Sequence, residues 1–153
     1  MANHKSSTAS SDLSKLSGLL ERKITIFRDF ISATTSLKDM IELHNVEAVK
    51  MIIARRHDCI SLIDKIDDEI LKIRKANPSY EAPETRKRIQ SLIKTLENMI
   101  ASTMRLNHDC EAAAESELDK LRNDLSELGH SQKGIKGYRG KSGEPPRFMD
   151  VTT

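Results

Sequence analysis

The sequence predicts an all-α protein: an elongated antiparallel three-helix bundle or coiled coil, with disordered N- and C-terminal tails. Three observations carry this expectation. Apolar residues recur at alternating steps of three and four along three long segments, a spacing that lines one side of a helix. Charged residues make up 31% of the chain and aromatic residues 3%, a balance that suits slender helices with apolar seams and wet outer faces. The four Pro and six Gly fall almost entirely outside the periodic segments.

Residues 1–11 are small, polar and rich in Ser, too poor in apolar surface to offset the entropy of ordering, so they read as disordered. Helix one is expected over 12–43, with Asp12 as cap and Leu13, Leu16, Leu20, Ile24, Phe27, Ile31, Thr34, Leu37 and Ile41 as its seam. Gly18 lies off that seam, and its cost of about 1 kcal/mol is small beside the burial of several Leu and Ile. Leu43-His44-Asn45 is the only punctuation before helix two, expected over 46–76 with Asn45 as its N-cap. So short a connection makes an antiparallel hairpin, or else it is no break at all and one very long helix invites domain swapping. Helix two is expected to bury Val46, Val49, Ile53, Ile60, Ile63, Ile66, Ile70 and Ile73.

Asn77 to Pro83 is a clear break, with Pro83 suited to the first turn of helix three, expected over 83–128. Its seam is Ile89, Leu92, Leu96, Met99, Thr103, Leu106 and Cys110. Past Ala113 a strict seven-residue repeat would bring Glu117 and Lys120 into that seam, whereas Ala114, Leu118, Leu121, Leu125 and Leu128 continue it only after a four-residue shift. Such a stutter is either a packing adjustment or the point where Leu118 to Leu128 leave the core and offer an apolar stripe to a partner helix. Gly129 then reads as the C-cap, and 129–153 as a flexible basic tail. That tail sets Ile135, Tyr138, Phe148 and Met149 among Lys, Arg and Gly, the make-up of either a solvated tail or a peptide that folds onto a partner.

The net charge of +2 argues against nucleic acid as a partner. No run approaches the roughly 20 apolar residues of a membrane span, and the N-terminus has no apolar run of a secretory signal, so a cytoplasmic protein with no membrane insertion is expected. His57-Asp58-Cys59 recurs as His108-Asp109-Cys110, yet residues two apart on a helix point about 200° apart, so neither His reaches its own Cys as a base. The two Cys lack the spacing of a zinc site and read as buried small hydrophobes. No catalytic group, metal or cofactor is expected, and an enzyme is the least favoured class.

Two stretches resemble flagellar type III export chaperones of the FlgN and FliT type. One is LLERKITIFRDF (Leu19 to Phe30) followed by HNVEAVKMIIARRHDCISLIDKI, similar to the family's opening hairpin. The other is KGIKGYRGKSGEPPRFMDVTT (Lys133 to Thr153), similar to KGY and PRFxD endings. The resemblance implies a chaperone that binds C-terminal helical segments of hook-associated or filament-cap proteins and delivers them to the flagellar export gate. Leu118, Leu121, Leu125 and Leu128 would then hold the client. Tyr138 would contact the gate, beside Ile135, with Arg147, Phe148 and Met149 as a second anchor. The rival is a structural coiled-coil protein, a homodimer whose stripe pairs with itself; a nucleic-acid binder using the basic tail is weaker.

Overall fold

In the computed structural model the chain is described over residues 3–76 and 83–141. It forms three α-helices and, among the described residues, no strand: α1 (Asn3–Glu42), α2 (Val46–Ala76) and α3 (Pro83–Lys141). Contacts along the helices fix their directions. Lys23 pairs with Asp67 at 2.5 Å and Asp29 with Arg55 at 3.5 Å, so numbers rise on α1 as they fall on α2, and these two helices are antiparallel. Glu21 pairs with Arg88 and Thr34 with Cys110, so α1 and α3 run parallel. The result is an up-down-up bundle.

The turn between α1 and α2 closes within the chain, which settles the alternative of one continuous helix. His44 adopts a left-handed φ of 55°, its N–H donates to Ile41 O at 3.0 Å, and the N–H of Asn45 donates to Met40 O at 3.0 Å. This is a Schellman ending, with His44 where Gly is usual. The Asn45 side chain then caps α2, its Oδ1 accepting from Ala48 N at 3.1 Å, as its residue type implies.

The predicted seams of α1 and α3 are buried or half-buried throughout, from Leu13 to Ile41 and from Ile89 to Cys110. Helix α1 also buries Ser17, Ile26, Phe30 and Ala33. The reason is geometric: a helix touching two neighbours needs a stripe wider than one seam. The α2 seam is corrected. Val46, Ile53 and Ile60 are 60%, 52% and 45% exposed, while Cys59 is buried and Ile52 and Arg56 are half-buried in their place. Arg56 takes a seam position because its guanidinium lies 4.8 Å over the Phe30 ring and donates to Asn107 Oδ1 of α3 at 2.6 Å. A planar cation of this kind can be stacked and hydrogen-bonded where an ammonium would need water.

Two helix boundaries also differ from expectation. Helix α1 begins at Asn3, not Asp12: once Leu13 and Leu16 are packed the nucleus exists, and adding Ser and Thr residues costs little. Helix α3 continues through Gly129 to Lys141, and no Gly among the described residues has a positive φ. Gly129 is therefore an interior helix residue and no cap. Gly weakens a helix by about 1 kcal/mol without forbidding it, and the Lys and Arg of this segment suit the negative end of the helix dipole.

Candidate functional site

The chain divides into two compact units, 1–114 and 115–153, and the division falls at the stutter. In the first unit the α3 seam ends on buried Cys110 and Ala113. In the second, Glu117 occupies the position that the strict repeat assigns to the seam: its side chain is 13% exposed and its Oε1 accepts from Lys120 Nζ at 2.8 Å. The leucines that follow the shifted repeat do not share that burial. Leu118, Leu121, Leu125 and Leu128 are 47%, 55%, 59% and 57% exposed, so the four residues singled out by spacing form one apolar stripe open to solvent.

The stripe has the periodicity of a helix-packing face. Its leucines lie at the three-and-four spacing of a coiled-coil seam, so its shape complement is another amphipathic helix. Arg122 and Asp124 flank the stripe, and an Arg122–Asp119 contact of 3.8 Å sits at the loose end of ion pairing, leaving the Arg122 side chain 69% exposed and easy to redirect.

Of the expected tail contacts, Ile135 and Tyr138 fall within α3, and Arg147, Phe148 and Met149 lie outside the described residues. The spacing argument missed other apolar groups at the surface, among them Met51 on α2 and Met104 on α3. Both stand outside the three-and-four pattern, and that offset was the available signal.

The repeated His-Asp-Cys triplets come apart in space. Cys59 and Cys110 are buried free thiols, whereas His57 and His108 are exposed. The Cys110 Sγ lies 3.5 Å from Thr34 O, to which it donates. Burial pushes both thiols up, with Asp29 adding to the effect at Cys59 and Arg56 opposing it at Cys110. An activated thiolate requires the opposite direction. Among the described residues no three His, Cys, Asp or Glu come together as metal ligands, and no helix is long and apolar enough to cross a membrane.

A groove of about 500 Å³ in the first unit lies between α1 and α2, over Gly18, Leu19 and Ile73. Lys15, Arg22, Lys72 and Glu69 border it, a mixed rim that assigns no ligand class. No protein-family model, curated protein or solved structure matches the chain.

Proposed function

We infer that this chain is a chaperone for amphipathic helices of the flagellar export type. It takes C-terminal helical segments of hook-associated or filament-cap proteins onto Leu118, Leu121, Leu125 and Leu128, keeps them soluble in the cytoplasm and brings them to the export gate. The observation that supports the reading is the exposure of those four leucines on one helix face. Covering each would contribute about 1 kcal/mol, half the value of a fully buried leucine. That is a reversible hold, and reversibility is what a carrier needs. The resemblance of 133–153 to the endings of flagellar export chaperones supplies the client class, and assigns Tyr138, Arg147, Phe148 and Met149 to the gate.

The test is co-purification from a flagellated host of the full chain, of the double variant Leu121→Ser/Leu125→Ser, and of a chain ending at Gly129, with mass spectrometry of the proteins retained. The full chain is expected to retain hook-associated or cap proteins, the double variant to lose them, and the shortened chain to keep the client while losing export-gate components. A full chain that retains no flagellar protein, or a double variant that retains as much as the full chain, overturns the reading.

A further inference from the structure

We propose that the leucine stripe of α3 pairs with the same stripe of a second copy of this chain, parallel and in register, so that self-association covers it whenever no client helix does. The inference rests on the stripe being a helix-binding surface, and it names what competes there.

Spacing fixes the register. The steps Leu118 to Leu121, Leu121 to Leu125 and Leu125 to Leu128 are three, four and three, which places Leu118 and Leu125 at a positions and Leu121 and Leu128 at d positions of a heptad. An a and d stripe made only of leucine is complementary to itself. The flanking positions are then determined: Glu117 and Asp124 precede the a leucines as g residues, and Arg122 and Gly129 follow the d leucines as e residues.

Charge decides the direction. In a parallel pair each g residue faces the e residue five places further along the other helix. Glu117 therefore faces Arg122 of the second copy, and by symmetry the attraction occurs twice, while Asp124 faces the uncharged Gly129. In an antiparallel pair with the same four leucine layers, e faces e and g faces g. Arg122 would then oppose Arg122 and Asp124 would oppose Asp124, two like-charge contacts at the centre of the interface. Arg122 is available for the parallel contact because its side chain is 69% exposed and only loosely held by Asp119. The Glu117 carboxylate, already beside Lys120, would be shared with Arg122 of the second copy.

The measurement is sedimentation equilibrium of the full chain over a wide concentration range, compared with Arg122→Glu and Leu125→Ser. Both substitutions are at exposed positions, and circular dichroism checks that each variant keeps its helix content. The wild type is expected to dimerise with concentration, Leu125→Ser to remain monomeric, and Arg122→Glu to weaken the dimer about tenfold, because two attractive contacts become repulsive. An antiparallel dimer would exchange one like-charge pair for another, so an unchanged constant for Arg122→Glu overturns the proposal, as does a wild type that stays monomeric.

A synthetic three-heptad helix with leucine at every a and d position, added to each sample, separates this proposal from the reading it rests on. Dissociation of the wild-type dimer by the peptide supports both. A monomer that binds the peptide through Leu125 overturns the self-pairing alone. A wild type that neither dimerises nor binds the peptide overturns both, and a dimer the peptide leaves intact overturns the competition.

Discussion

His44 is the residue at which local backbone chemistry and tertiary structure meet most directly. Its φ of 55° brings Cβ close to the backbone carbonyl, a conformation that costs a non-Gly residue about 1 kcal/mol or more. The hairpin accepts this because the turn satisfies the last carbonyls of α1 and positions Asn45 to cap α2. Replacing His44 with Gly is therefore expected to stabilise the protein by about 1 kcal/mol, read as a higher urea midpoint at unchanged slope. A lower midpoint would mean that the imidazole contributes more than the backbone loses. Asn45 was legible as a cap from residue type alone. The left-handed residue was not, because nothing in Leu43-His44-Asn45 supplies the Gly that marks a Schellman ending in most sequences. Arg56 was hidden for a related reason: periodicity counts apolar residues, and here the seam position is filled by a cation stacked on Phe30 and hydrogen-bonded to Asn107.

At the scale of elements, the three helices and their order could be read from the sequence, because each carries several turns of consistent spacing. Their ends could not. A Gly after a run of leucines reads as a cap, and Ser-rich sequence reads as unstructured, yet both segments extend a helix already nucleated. The two roles of Gly129 differ in sign. As a left-handed cap it would resist any side chain, whereas inside α3 a Cβ added there meets nothing within 4 Å. Gly129→Ala is thus expected to raise helix content and to stabilise α3 locally by about 1 kcal/mol, measured by circular dichroism and by slower amide exchange around the site. A loss of helix would restore the cap. The break in the α3 seam was legible: the four-residue shift after Ala113 separates the buried seam from the exposed leucines, although spacing alone left open whether the shifted leucines would be covered.

For the molecule as a whole, the buried thiols give stability a dependence on alkaline pH. The unfolded chain titrates Cys59 and Cys110 at the ordinary thiol value of 9.0, and the folded chain titrates them higher. Between those values the unfolded state has lost protons that the folded state still binds, so unfolding becomes easier as pH rises. The stabilisation is complete below pH 9 and disappears as pH climbs through the raised values. Urea midpoints taken from about pH 8 to about pH 10 are expected to fall more steeply for the wild type than for Cys59→Ala/Cys110→Ala. Equal slopes would mean that Tyr and Lys titration accounts for the alkaline loss.

The parallel placement of α1 and α3 also sets a timetable. Polar contacts between α1 and α2 join residues 44 and 26 apart, whereas the Arg88–Glu21 ion pair and the Cys110–Thr34 hydrogen bond that join α1 to α3 span 67 and 76, so the hairpin closes the shorter loops and forms first. During synthesis from the N-terminus, Thr34, which is fully buried in the finished fold, stays wet until Cys110 has left the ribosome. The nascent hairpin thus presents an open apolar trough for as long as α3 takes to be made, and α3 fills it as the last strut of the bundle.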